Sequence, residues 1–94
     1  MQSTSPKILI IDDDKIASAA LEGLLSNEPY ELYFAYDGMD GISMAVSIHP
    51  DVILLDVMMP KMDGFEVCRR IRAMQDTAEV PIILITSLDD HDSL

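Results

Sequence analysis

DVILLDVMMPKMDGFEVCRRIR, Asp51 to Arg72, is the stretch on which the fold of this chain turns. Val52 to Leu55 is an unbroken apolar run, the pattern of a strand buried on both faces, and it delivers Asp56 where that strand must end. Met58 to Gly64 follows as a loop punctuated by Pro60 and Gly64. A helical pattern is predicted from Phe65 through Val67, Cys68, Ile71 and Met74, with Arg69, Arg70 and Arg72 on the wetter side, where they favour the helix C-terminus.

The same device occurs earlier in the chain. Ile8 to Ile11 is a second apolar run, stopped by Asp12, Asp13 and Asp14, so two buried strands end in acid. Asp14 is a good N-cap, and Ile16, Ala17, Ala20, Leu21, Leu24 and Leu25 recur at helical spacing until Asn27 and Pro29. Tyr30 to Tyr36 is aromatic and partly alternating, a strand nearer an edge of the sheet, and Asp37-Gly38 turns the chain. Met39, Ile42, Ala45, Val46 and Ile48 mark a short helix, weakened by Gly41 and closed by His49-Pro50. Beyond the third helix, a polar connection from Gln75 to Glu79 leads through Pro81 into a fourth buried-type strand, Ile82 to Ile85, and then Thr86-Ser87. Met1 to Pro6 has no periodicity and is expected to be a flexible lead-in, while the acidic tail LDDHDSL adds no element.

With 94 residues there is room for one small core. A hydrophobic share of 49% with only 5% aromatic residues means that Ile, Leu, Val, Met and Ala build it. Seventeen acidic residues against six basic ones give a net charge of -11, which argues against direct binding of nucleic acid or anionic lipid and favours a cation as partner. No apolar run approaches the roughly 18 residues of a membrane helix, and the N-terminus lacks a secretory h-region, so a cytoplasmic location with no membrane contact is expected. The lone Cys68 excludes an internal disulfide and is best placed in the core.

Strand and helix alternate from the first strand to the fourth, and fully apolar strands joined by helices imply a parallel α/β sheet with right-handed crossovers and helices on both faces. Sites in such sheets form beyond the carboxyl ends of the strands, where strand order reverses. Asp12, Asp13, Asp56 and Thr86 all occupy such ends. If the first and third strands are neighbours, the three carboxylates crowd into one crevice, and a hard divalent ion resolves the repulsion. Mg²⁺ suits an all-oxygen set, and a carboxylate beside it can attack a phosphoryl group. Thr86 offers a hydroxyl to a phosphoryl oxygen after that modification.

The ILIIDDD opening, the DVILLDVMMPKMDGFEV block and the PIILITS strand together resemble the receiver domain of two-component response regulators, over nearly the whole chain from Lys7. The resemblance implies a flavodoxin-like, doubly wound parallel sheet with strand order 2-1-3-4. It implies Asp56 as phosphoacceptor, Asp12 and Asp13 as the acidic pair for Mg²⁺, the Met58 backbone carbonyl as a further metal ligand, and Thr86 as the switch hydroxyl. Pro60 and Gly64 match the shaping positions of the loop. The implied partner is a histidine kinase or phosphotransfer protein, and the implied role is a signalling switch rather than an enzyme.

Complete receivers continue through a further helix, a strand ending in a phosphoryl-pairing Lys, and a last helix. None of Lys7, Lys15 and Lys61 matches that Lys, so residues 7–94 are expected to form an incomplete receiver after the lead-in 1–6. An exposed edge on the fourth strand then implies self-association, and an interaction module that is never phosphorylated is the competing reading. A flavin-binding flavodoxin is disfavoured because Asp12 to Asp14 would repel its phosphate. A dehalogenase-type phosphatase is disfavoured because Met58 stands where its second Asp belongs. His49 and His91 are expected to be solvated, Met58, Met59 and Met62 to pack the loop rather than bind copper, and Lys61 to be a loop charge near Asp56 that could assist a phosphodonor's approach.

Overall fold

Each aliphatic run becomes a strand. The computed structural model describes residues 5–86, in which β1 is Lys7–Ile11, β2 is Glu31–Ala35, β3 is Val52–Asp56 and β4 is Ile82–Ile85. Between them lie α1 (Lys15–Leu25), α2 (Gly38–Ile48) and α3 (Gly64–Ala73), with a 3-10 turn at Gln75–Thr77 before β4. The start of the lead-in, the acidic tail and its His91 lie outside the described residues.

All strand pairs are parallel and the order is β2-β1-β3-β4, as expected. The chain steps one way from β1 to β2 and the other way from β2 to β3 and on to β4. Right-handed crossovers therefore put α1 on one face and α2 and α3 on the other. Strand order reverses between β1 and β3, whose register pairs Ile11 with Leu55. One residue further along each strand stand Asp12 and Asp56, so the register itself brings two carboxylates side by side.

The main core fills the α2/α3 face. Leu9 and Ile11 of β1 and Ile53 and Leu55 of β3 are fully buried there with Ala35, Ala45, Val67 and Ile71. Ile8 and Ile10 alternate to the α1 face and are buried as well. Helix α2 approaches closely through small residues, Gly38, Gly41 and Ala45. A Cβ on Gly41 would stand 2.6 Å from Ile11 Cδ1, so the glycine expected to weaken this helix is what lets it lie on the sheet.

Several sequence expectations need correction. Asp37 does not simply turn the chain; its side chain accepts from Asp40 N at 2.8 Å and caps α2. Ile16 and Leu24 are 82% and 76% exposed, although they share the apolar repeat of α1. Ile16 precedes the buried Ser18 by two residues, about 200° around a helix, so the two cannot share a face. Phe65 is likewise exposed, because it stands two residues before the buried Val67. The polar connection after α3 is more structured than its composition indicates. Thr77 is buried and its hydroxyl donates to Ile71 O at 2.6 Å, while Arg72 Nη1 donates to the carbonyls of Ala78 and Val80 at 3.0 and 2.6 Å. In β4, Ile82 packs against the core, but Ile83 and Leu84 are exposed.

Candidate functional site

Two strand ends and two helix starts build the site. At the end of β1, Asp12 N donates to Ala35 O at 3.0 Å, and Asp12 Oδ1 accepts from Asp14 N at 2.9 Å. These bonds hold the Asp12 carboxylate over the strand end. Asp14 turns the other way: its Oδ1 accepts from Ile16 N at 2.9 Å and Ala17 N at 3.2 Å, capping α1. The three consecutive acids are thus divided in their work, with Asp14 given to the helix and Asp13 exposed at the mouth of the crevice.

At the end of β3, Asp56 Oδ1 accepts from Met58 N at 3.1 Å. The loop then folds back on the strand. Met62 N donates to Pro60 O at 2.7 Å around Lys61, whose φ is 68°, and Gly64 N donates to Val57 O at 3.0 Å. Gly64 lies so close to the Asp56 carbonyl that a Cβ could not be accommodated. Asp63 caps α3 by accepting from Glu66 N at 2.9 Å. Met59 is buried and Met62 packs on the core, as a loop-packing role requires, whereas Met58 is exposed.

Asp12 and Asp56 are each only 5% exposed. One carboxylate oxygen from each of Asp12, Asp13 and Asp56 lies within 4.8 Å of the others. Burial pushes the Asp56 carboxyl up from 3.8 to about 6, against the Met58 N–H bond and with help from the negative charges of Asp12 and Asp13. Burial likewise raises Asp12, opposed by its bond from Asp14 N and reinforced by the charges of Asp13 and Asp14. A set of three hard oxygen donors under mutual repulsion, with no His or Cys among them, fits Mg²⁺ better than a softer ion.

Thr86 is exposed and directly follows Ile85, which pairs with Asp56 across the β3/β4 ladder. Val57 N donates to Ile85 O at 2.9 Å, so Thr86 leaves the sheet beside the nucleophile candidate. His49 is exposed at the other end of α2, in the left-handed conformation with φ 56°. Lys7 also belongs to that far edge, its Nζ donating to Ile48 O at 3.4 Å. Sequence reasoning missed the contact of Lys15 Nζ with the Tyr36 ring, 5.1 Å to the centroid, which ties the start of α1 to the end of β2. No spacing rule links those two positions.

A doubly wound parallel sheet with an acidic crevice at its topological switch point defines a domain of the flavodoxin-like class. The model of the response regulator receiver domain family matches residues 8–94, and the chain belongs to that family. It is 45% identical over 83 residues to the DNA-binding dual master transcriptional regulator RpaA of Synechocystis sp., covering 88% of this chain and 34% of that protein. It is 47% identical over 85 residues to the response regulator PleD of Caulobacter vibrioides, covering 90% of this chain and 19% of that protein. The chain therefore spans about a third of one of these relatives and about a fifth of the other. Among solved structures, a putative response regulator from Chloroflexus aurantiacus J-10-fl superposes with a TM-score of 0.85 at 30% identity, over 96% of this chain and 74% of that one. Receiver domains are signalling domains of two-component systems. No helix among the described residues is long and apolar enough to cross a membrane.

Proposed function

We propose that this chain accepts a phosphoryl group on Asp56 from a histidine kinase or phosphotransfer protein in a Mg²⁺-dependent reaction, and passes on the change as a conformational signal in the cytoplasm. The observation that carries this reading is the convergence of Asp12, Asp13 and Asp56 on one crevice, with Asp56 buried at a strand end. Asp56 Oδ1 is occupied by Met58 N–H, which leaves Oδ2 free of that bond to attack phosphorus. The Asp56 O–P bond forms as the phosphohistidine N–P bond breaks, and the leaving imidazole takes a proton from water. Asp12, Asp13, Asp56 and the Met58 carbonyl would hold Mg²⁺, which when bound supplies the positive charge that keeps Asp56 ionised and offsets phosphate charge. Thr86 is the hydroxyl that would donate to the new phosphoryl group, drawing the end of β4 toward it.

Intact mass after incubation with phosphoramidate tests the reading. A single phosphoryl adduct is expected on the wild-type chain with Mg²⁺, and none without Mg²⁺ or on Asp56→Asn. Absence of the adduct from a folded sample supports a second reading, an interaction module that associates without phosphorylation. That reading draws on the exposed Ile83 and Leu84 of β4, which also support self-association as a property of the chain.

A further inference from the structure

Strand β4 is held on one side only. Its inner edge pairs with β3, from Ile82 opposite Ile53 to Ile85 opposite Asp56, and no described strand pairs with its outer edge. Ile82 packs against the core, but Ile83 and Leu84 are exposed. With one neighbour and few buried side chains, β4 is the strand least fixed by the sheet, and Thr86 stands at its end. A hydroxyl that meets a phosphoryl group on Asp56 needs an O···O separation of about 2.7–2.8 Å and loses the bond when displaced by roughly an ångström. The position of β4 along β3 therefore decides whether Thr86 reaches its target.

The hold on β4 lies at its start and comes from α3. Arg72 Nη1 donates to Ala78 O at 3.0 Å and to Val80 O at 2.6 Å, so one nitrogen grips two carbonyls of the connection that leads into the strand. The guanidinium is always charged near neutral pH, which strengthens both bonds. The Thr77 hydroxyl pins the same connection to Ile71 O at 2.6 Å. The other end of α3 is anchored at the crevice, where Gly64 packs against the Asp56 carbonyl and its N–H bonds Val57 O at 3.0 Å. Gly64 to Arg72 is about 12 Å of helix, and Val80 to Thr86 is roughly 20 Å of strand. Neither element stretches at small cost, so a shift at Val80 arrives at Thr86 nearly undiminished.

We infer that Arg72 is a positioning residue for Thr86. Its two bonds fix where β4 begins against α3, and the strand carries that position to the crevice. The inference rests on Asp56 being the acceptor and on the Thr86 hydroxyl donating to the phosphoryl group. Arg72 takes no part in the bond exchange and acts through the strand from the opposite end of the sheet. Thr77 is buried and serves the fold, whereas Arg72 is exposed, so its clamp can be removed while the core is kept.

The half-life of the phosphoryl group on Asp56 tests it, read by intact mass in dilute solution after labelling with phosphoramidate and Mg²⁺ and removal of the donor. Thr86→Ala is expected to change that half-life about fivefold, the size of one net hydrogen bond. Arg72→Met, which keeps an unbranched side chain but no donor, should change it in the same direction by about twofold or more. In the double variant Arg72→Met, Thr86→Ala the half-life should equal that of Thr86→Ala alone, because no hydroxyl is left to position. Gly41→Ala, a destabilising change at the α2/β1 contact, should leave the half-life at the wild-type value. Circular dichroism checks each fold, and Arg72→Lys, which keeps the charge without the fork, replaces Arg72→Met under the same expectations if that variant unfolds. The inference fails if Arg72→Met keeps the wild-type half-life, if its effect persists in full beside Thr86→Ala, or if Gly41→Ala changes the half-life as much. Failure of phosphoramidate to label the wild-type chain counts instead against Asp56 as acceptor, and an unchanged half-life in Thr86→Ala counts against the Thr86 contact; either removes this inference with it.

Discussion

At Asp56, burial works against the charge of the carboxyl. Its carboxyl is pushed up to about 6 by burial, so at pH 7 and above the folded state holds a charge that the unfolded chain, at about 3.8, holds without penalty. The folded state is therefore penalised by roughly 2–3 kcal/mol above pH 6, and the penalty disappears as pH falls from about 6 toward 4. Asp56→Asn is expected to melt several degrees above wild type at pH 7.5 without divalent ions, with the lead shrinking as pH drops to 4.5. A lead that stays constant across that range would show that charge at Asp56 is not what strains the fold. Mg²⁺ should close the same gap at pH 7.5 by raising the wild-type melting temperature more than that of Asp56→Asn. A second local strain sits at Lys61, a non-glycine residue at φ 68° in the tight turn between Pro60 and Met62. Lys61→Gly is expected to stabilise the chain by about 0.5–1 kcal/mol in urea unfolding. A loss of stability there would mean that the lysine side chain makes a contact that outweighs its backbone strain.

At the scale of the element, small residues decide how the layers meet. Gly41→Ala puts a methyl group against the buried, β-branched Ile11, which has no exposed end to swing away. A loss of about 1–3 kcal/mol is expected from chemical denaturation, larger than the helix-propensity gain of about 1 kcal/mol that alanine brings. A net gain would show that α2 can lift from β1 without loss. β1, β3 and β4 were visible in the sequence as unbroken apolar runs, with a charge stopping β1 and β3, and β2 was visible through its aromatic, partly alternating pattern; the helical connections between them implied the parallel pairing. Asp14 as the cap of α1 was visible just as locally. What stayed hidden depended on the path between elements. Gly41 has the same residue type whether it loosens a helix or admits a close approach. Thr77 reads as polar linker until the carbonyl of Ile71 is found beneath it. Phe65 lies outside the arc of Val67, Cys68, Ile71 and Met74, which the period of 3.6 reveals, whereas Ile16 and Leu24 fall on the apolar arc of α1 and are exposed because the helix turns its Ser18 side to the sheet.

For the molecule as a whole, two tendencies oppose each other. Ile16 and Leu24 stand exposed on α1, and Ile83 and Leu84 on β4, where no described strand pairs with the outer edge. Apolar side chains next to unpaired backbone groups favour joining a second sheet edge. Against this stands a net charge of -11, which keeps copies apart at low ionic strength. The repulsion is long-range and is screened within about 10 Å at 0.1 M salt, whereas edge pairing and apolar contact act only at touching distance and are not weakened by salt. Self-association should therefore increase with both concentration and salt. Light scattering at rising protein concentration is expected to give a mass climbing above the 10.4 kDa of one chain, and to climb more steeply at 0.5 M NaCl than at 0.02 M. Ile83→Lys adds a charge to the open edge and should return the chain to monomer under both conditions. A mass that stays at one chain throughout would mean that the exposed strand is shielded. Association of Ile83→Lys equal to wild type would move the contact to the α1 face, where Ile16 and Leu24 would be the next positions to charge.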